Sequence, residues 1–503
     1  MLRLLNLCAL CLAGAAHASG LYLGDNGAKA MIQAGAFAAQ ADDVTAIQHN
    51  PAGLAQLAGF NLVADLQVLR HDVRFSRQDP GFDWANPAAD SNTVRNADTP
   101  FLLPFLAVSY GFPVLGKTFT LAAGLYAPPG QGRYEYPAPN YAKDSLGNDV
   151  ERPNTFAPQR YVLNRSDFFI AYPTLSVAWD LHPRFKVGLS AQLVVSRFQL
   201  SQTLYAGDEQ GQLLEDPSRD AVVSVDLAGF VGFTGILGVM WRPTNWLTIG
   251  GSLRPPVPIK ARGKLTVVPA TPGLTVSGDR ATLSMTLPLE VSFGTRMLPL
   301  EGGWKDRLAF NIDFVFQAWN SIDSLLVTPE NVTTTSGPGG EARPLPAFGQ
   351  ARKWVPTWSV RVGTYFRIHQ RISVCFGTAY ESSAVPTASW SPDFSHPARF
   401  TFTGGATLHL MPFEVILGAL FTPTNTTVVT DSTVMRGQLN ADFAPTPAGN
   451  GIYTSDAWGL IFGVRLHLGE AASPPKLDDT SPPPVAPPMP ANPDKLPVEP
   501  TVK

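Results

Sequence analysis

Beyond residue 58 the chain is a series of segments in which apolar and polar residues alternate, and the links between those segments are sorted by length. Candidate strands fall near 59–73, 101–112, 117–127, 167–181, 184–204, 221–242, 245–264, 281–297, 306–322, 354–368, 371–381, 398–410, 413–424 and 455–468, fourteen in all. Links after the even-numbered strands are tight, as at Leu181-His182-Pro183, Pro243-Thr244, His369-Gln370 and Met411-Pro412. Links after the odd-numbered strands run long, about 74–100, 128–166, 205–220, 265–280, 323–353, 382–397 and 425–454. A soluble sandwich has no reason to segregate its loops this way. A barrel that crosses an outer membrane has short turns at one mouth, long loops at the other, and both chain ends on the short-turn side.

Within the segments the alternation has period two. Phe400, Phe402, Gly404, Ala406, Leu408 and Leu410 alternate with Arg399, Thr401, Thr403, Gly405, Thr407 and His409, as expected when one face meets lipid and the other a lumen. Phe185, Val187, Leu189, Ala191, Leu193 and Val195 do the same against Lys186, Gly188, Ser190, Gln192 and Ser196, and between Trp458 and Leu468 the lumen side holds Arg465 and His467. Only 15% of residues are charged, against roughly 25% in a soluble domain. No mature stretch offers the roughly 18 consecutive apolar residues of a membrane helix, so strands must do the crossing. A net charge of −3 argues against a nucleic-acid partner.

Residues 1–18 read as an export signal, with Arg3 as the charge, Leu4–Gly14 as the apolar run and Ala16-His17-Ala18 as the cleavage site. Removal of the leader takes Cys8 and Cys11 with it and leaves Cys375 as the only mature cysteine. An exported chain without an intramolecular disulfide needs another source of stability, and a closed hydrogen-bonded ladder supplies one.

Between the leader and the first strand lies AAQADDVTAIQHNPAGLAQL, residues 38–57, too short and polar to be a domain core. This alanine-rich segment, with Asp42-Asp43 and ending in Asn50-Pro51-Ala52-Gly53-Leu54, resembles the N-terminal hatch of the FadL-type outer-membrane transporters, which carry long-chain fatty acids and other hydrophobic compounds. Tyr126-Ala127-Pro128-Pro129-Gly130 is similar to the family's aromatic-x-Pro-Phe-Gly entry into its large third loop, with Pro129 in place of the Phe. Glu381-Ser382-Ser383-Ala384-Val385-Pro386 is similar to the family's Asp-Ser-Pro-Val-Pro, and Arg399-Phe400 follows at the next strand. The resemblance covers roughly residues 20–468. It implies an all-β fold, a 14-stranded antiparallel transmembrane β-barrel plugged by a small N-terminal hatch. The expected plan is a signal peptide at 1–18, the hatch at 19–58, the barrel at 59–468 and a tail at 469–503, with both termini periplasmic. Its expected partners are the outer-membrane lipid bilayer, the barrel assembly machinery and a long-chain fatty acid or other hydrophobic ligand, which leaves sideways through the wall.

The tail departs from the family. Residues 470–503 hold eleven prolines, a composition that builds no core and favours polyproline II or disorder. Gly463, Leu466 and Leu468 nevertheless keep the Gly-x-x-apolar-x-apolar spacing of a final strand.

Chemistry is sparse. There is no Gly-x-Ser-x-Gly, His-Glu-x-x-His, Cys-x-x-Cys or phosphate loop, so no catalytic residue, metal or cofactor is expected, although a hydrolase triad dispersed along the chain stays open. Histidines fall one to a segment, and Asp42-Asp43 fits hatch packing or a helix start. Two sets of residues are candidates for ligand handling. Asn50, Pro51 and Ala52 form a stiff turn, since Pro51 fixes its own φ and restricts Asn50, beside a small-residue stretch, Gly35 to Ala41, with little to resist movement. Together they would serve as a gate. In the long loop after the third strand, Arg133, Tyr134, Tyr136, Tyr141, Phe156 and Arg160 mix rings and cations as an outer landing site for an acyl chain and its carboxylate needs. Lys186, Arg361, Arg367, Arg399 and Arg465 read equally well as wall charges that keep a lumen wet. A general porin is the competing class, disfavoured by the Ala- and Gly-rich plug sequence.

Overall fold

The computed structural model describes residues 25–468 except 79–92, 98–99, 128–132, 137–140, 144–148, 152–156, 207–219, 270–272, 300–306, 338, 396 and 441. The expected leader and Pro-rich tail lie outside the described residues.

Fourteen antiparallel strands close into one ring. They are β1 (Gly59–Arg77), β2 (Phe101–Val114), β3 (Lys117–Tyr126), β4 (Arg165–His182), β5 (Phe185–Leu204) and β6 (Ala221–Thr244). Next come β7 (Leu247–Arg254 and Val257–Pro269), β8 (Arg280–Leu287 and Glu290–Met297), β9 (Leu308–Gln317 and Ser324–Glu330) and β10 (Phe348–Ala351 and Thr357–His369). The last four are β11 (Ile372–Glu381), β12 (Arg399–Leu410), β13 (Phe413–Val429) and β14 (Gly451–Leu468). Each pairs with its sequence neighbour, and β14 returns to β1 from Phe60↔Leu468 to Arg77↔Gly451. Because the first strand pairs with the last, the ring of described strands has no terminal edge strand, which is what closure achieves.

The alternation expected from sequence sorts the faces. Phe400, Phe402, Leu408 and Leu410 are exposed while Arg399, Thr401, Thr403 and Thr407 are buried inside, and Trp458, Leu460, Phe462 and Val464 likewise point out while Arg465 points in. Short turns join the strands at one mouth. Leu115 and Gly116 both have positive φ, 53° and 74°, the backbone of a two-residue hairpin turn that matches strand twist.

The reading differs from the structure along β7 to β10, where single long strands were expected. β7 is interrupted at Pro255-Pro256, β8 at Pro288 and β10 just before Thr357, at Pro356. Proline has no N–H for the ladder. β9 stops at Gln317 instead of continuing to 322, and a 3-10 turn at Trp319–Ser321 fills the break.

Ahead of β1, residues 25–58 carry only short helical pieces, Ala28–Met31, Ala46–His49 and a 3-10 turn at Pro51–Gln56. This segment is buried almost throughout and meets strands all round the ring, as the contacts below show. No helix among the described residues is long and apolar enough to cross a membrane.

Candidate functional site

The N-terminal segment lies directly on the wall because the wall carries glycines where they meet. Gly188↔Gly238, Gly250↔Gly294, Gly363↔Gly377 and Gly405↔Gly418 are cross-strand partners. A Cβ on Gly188 or Gly238 would overlap Asn50, Pro51 or Ala52; on Gly250, Ala38 and Ala39; on Gly377, Gln33 and Ala34; on Gly405 or Gly418, Ile32. Gly111 faces Leu57 and Gly463 faces Ala28 in the same way. Glycine inside a strand weakens it, and its usual reason is close approach of another backbone.

Buried charges then fasten the segment. Arg465 of β14, fully buried, bonds Asp43 of the segment at 2.9 and 3.1 Å and also both oxygens of Asp65 of β1, whose Oδ2 accepts the Ala28 N–H as well, at 2.7 Å. Asp43 in addition accepts the Thr45 N–H at 2.9 Å. Asp42 pairs with Lys29 at 3.0 Å and Arg296 of β8 at 3.3 Å. Arg361 of β10 pairs with Asp25, and Asp313 of β9 accepts the N–H groups of Phe37 and Ala38, both at 2.7 Å. Burial raises the pKa of Asp25, but Arg361 and His49 outweigh it and hold the carboxyl below its ordinary range; Lys29 and Arg296 do the same for Asp42. Thus Arg361 and Arg465, read from sequence as wall charges, are ties to the segment, and the stretch 35–41 is clipped by Asp313 rather than loose. A ladder of ties separated by hundreds of residues has no sequence signal; the glycines inside most of the strands were the available clue.

Asn50 is extended, with φ −159° and ψ 96°, as a residue before proline prefers. Its Oδ1 accepts the Ala52 N–H at 3.2 Å and caps the 3-10 turn, while its Nδ2 donates to Ala38 O at 2.7 Å and to Val239 O of β6 at 2.9 Å. One side chain therefore joins the turn, the small-residue stretch and the wall. Between this segment and β7 to β11 lies a polar cavity of about 550 Å³ lined by Asp25, His49, Arg254, Glu290, Asp313 and Arg361 among others.

The half of the lumen nearer the long loops is built differently. Leu163, Phe168, Leu200, Leu325, Phe348 and Phe394 line a cavity, with Ser201, Gln202, Gln350 and Asp393 as its polar neighbours. Arg352 stands at its edge with its guanidinium 4.3 Å from the Phe394 ring, donating to Ser391 Oγ at 2.6 Å and pairing with Asp393 at 3.3 Å. Its buried Nε has no partner.

The loop residues singled out from sequence are distributed around this region. Tyr134 is buried with its hydroxyl 2.7 Å from His71 Nδ1, and Tyr136 is buried and donates to Pro392 O at 2.8 Å. Burial raises the pKa of both phenols, so they remain neutral donors. Arg160 is buried, stacks on Tyr161 at 4.4 Å and pairs with Asp220 at 3.5 Å. Arg133 is partly exposed and paired with Glu135. Tyr141 sits on a short strand, Tyr141–Lys143, that pairs with Asp149–Glu151, and Phe156 lies outside the described residues. Tyr134, Tyr136 and Arg160 are thus inside the folded loop rather than on a landing surface.

One dispersed trio has the order of a hydrolase site: Ser373 Oγ is 2.9 Å from His409 Nε2, and His409 Nδ1 is 2.8 Å from Glu414. Ser373 has no exposed surface and is also bonded by the Tyr365 hydroxyl at 2.7 Å, so no substrate carbonyl reaches its oxygen in this arrangement. Among the described residues no three His, Cys, Asp or Glu side chains are grouped to hold a metal.

A family model described as outer membrane protein transport protein (OMPP1/FadL/TodX) matches residues 9–465. Among solved structures, a Pseudomonas aeruginosa FadL homologue is 16% identical with a TM-score of 0.66, covering 90% of this chain and 100% of that one. The toluene transporter TbuX of Ralstonia pickettii is 13% identical with a TM-score of 0.59 and coverages of 89% and 99%. The toluene transporter TodX of P. putida is 14% identical with a TM-score of 0.59 and the same coverages. No curated protein sequence matches. At these identities the structures speak for the barrel alone, and the family rests on the sequence model that spans nearly the whole chain. The chain belongs to the OMPP1/FadL/TodX family, outer-membrane β-barrels that transport hydrophobic molecules.

Proposed function

We propose that this barrel takes up long-chain fatty acids by ligand-gated diffusion, with residues 25–58 acting as a hatch that keeps the lumen closed to ions. The observation that carries the substrate class is the outer cavity: a largely apolar lining that includes Arg352, one buried donor of which is unused. An acyl chain gains by leaving water, at roughly 25 cal/mol per Å² buried, and its carboxylate takes the free N–H of a cation. Bound ligand favours one hatch arrangement only by differential contacts, so release of the gate must break bonds such as those from Phe37 and Ala38 to Asp313. In this reading the short-turn mouth and both termini face the periplasm, and the final strand is read by the assembly machinery.

A second reading, an uncharged aromatic hydrocarbon, is favoured by one observation. Arg352 is already neutralised by Asp393, so an anionic head would bring a second negative charge to a buried pair. Two of the similar structures are of toluene transporters. Uptake of labelled oleate and toluene by cells lacking their own transporter separates the readings. Leu325→Trp, which fills the cavity, is expected to lower both; Arg352→Leu is expected to lower oleate alone. Oleate uptake unaltered by Leu325→Trp contradicts the site, and equal losses for both ligands in Arg352→Leu favour the hydrocarbon.

A further inference from the structure

We propose that the outer wall of β5 to β8 binds the phosphate groups of an anionic lipid in the leaflet at the long-loop mouth. Strand alternation shows where the lipid-facing band ends. On β4 every outward residue from Trp179 back to Phe169 is apolar, and on β5 the same holds from Phe185 to Val195. Each stretch is eleven residues long, and a strand needs roughly 9–11 to cross a bilayer. The next outward residues are charged: Asp167 and Arg165 on β4, and Arg197 on β5.

The cations concentrate on β7. Val257, Ile259, Ala261 and Leu265 are buried on its inner face, so Lys260, Arg262 and Lys264 stand exposed on the outer one, roughly 7 Å from one to the next. Register sets Arg262 in one row with Ala228 and Arg197, and sets Lys264 directly opposite Arg280 of β8. Like charges directly opposite each other destabilise a sheet. Among the described residues, the outer faces of β5 to β9 above the apolar band hold two carboxylates, Asp226 and Glu330, and both are engaged. Asp226 bonds Arg197 at 2.7 and 3.0 Å and Gln199 at 3.0 Å, and Glu330 accepts the Thr282 hydroxyl and lies 3.7 Å from Arg262, itself 66% exposed. Among the described residues Lys260, Lys264 and Arg280 form no ion pair, not even Arg280 with its chain neighbour Asp279.

An anion between Lys264 and Arg280 turns their repulsion into attraction, and a phosphate has oxygens for charge-assisted bonds to both. The position selects a lipid over a free ion. Phe169, Val195 and Phe233 are exposed on the same outer surface just below the belt, where the acyl chains of a lipid held by its headgroup must lie. A second charged patch, on and beside β1, lacks spare cations of this kind: Arg74 and Arg95 already bond Asp72 at 3.1 and 2.7 Å.

Native mass spectrometry of the whole barrel in a neutral detergent tests the belt, with diphosphoryl lipid A, the same lipid stripped of its phosphates, and inorganic phosphate as probes. The phosphorylated lipid is expected to bind about tenfold more tightly than the stripped one, the effect of one hydrogen bond to a charged group, and inorganic phosphate should not displace it. Lys264→Gln with Arg280→Gln should remove most of that preference in a barrel that keeps its heat-modifiable gel mobility. The charge-matched pair Arg74→Gln with Arg95→Gln should leave it intact. Where the first pair does not assemble, Lys260→Gln, opposite Ser284 on the ladder, should lower the preference alone. Equal binding of the two lipids, or equal loss in both variant pairs, overturns the belt. Displacement of the lipid by inorganic phosphate reduces the site to one for a free anion and overturns the lipid. Cargo is a separate readout: a barrel that binds the phosphorylated lipid yet takes up neither oleate nor toluene defeats the transport reading and leaves the belt standing.

Discussion

The lumen has two levels made of opposite materials. At the hatch level the wall carries glycines where the segment lies against it, and buried charges tie the two together, Arg465 with both Asp43 and Asp65 and Asp42 with both Lys29 and Arg296. Above it the cavity lining is largely aromatic and aliphatic, where the cavity against the hatch is polar. The difference separates two tasks. Closing a tube to ions demands fit, since any gap a water molecule enters conducts. Holding varied hydrophobic molecules demands desolvation, which is roughly proportional to area and indifferent to direction.

That contrast can be broken at either level, and the lower one should break hardest. Gly238→Val places a branched side chain where Asn50 and Pro51 lie. β-branched residues suit strands, so the barrel should fold while the hatch is displaced, and conductance in planar bilayers should rise to that of a barrel without its hatch. Next in size is Arg465→Met, which leaves Asp43 and Asp65 buried and unpaired at a cost of about 3–5 kcal/mol. Hydrogen exchange across 28–46 should accelerate, and adding Asp43→Asn with Asp65→Asn should recover part of the loss. Asn50→Ala removes a cap and two donated bonds, about 1–3 kcal/mol, and should lower uptake at normal surface expression.

At the upper level Phe394→Ala is expected to weaken oleate binding roughly tenfold, about 1.4 kcal/mol, with conductance unchanged. A conductance change there would blur the two levels. The smallest effect is expected of Arg133→Ala, whose partly exposed pair with Glu135 is worth about 1 kcal/mol at most; oleate titration should scarcely move.

Much of the barrel was legible because membrane strands carry their environment in every second residue. The link lengths then ordered the strands, and the end positions of β3, β5 and β12 fell close to those read from alternation. The breaks in β7 and β8 were not read, although Pro255, Pro256 and Pro288 stood in plain view, because an apolar rhythm continues across them. The cavity and the ties were not legible for a different reason. Arg465 meets Asp43 422 residues away in the chain, and which glycine faces which depends on register, a property of pairs rather than of segments. Tyr134 and Tyr136 looked like surface aromatics in a long loop; only the folded loop shows that their hydroxyls are used up by His71 and Pro392.

The account stands or falls on whether residues 20–54 seal the lower lumen. Single-channel recording in planar bilayers compares the whole chain with a barrel lacking those residues. Because stability resides in the closed ladder rather than in the hatch, the shortened chain should fold and show stable, raised ion conductance over a nearly silent whole chain. A folded, shortened barrel whose conductance equals that of the whole chain would contradict the account.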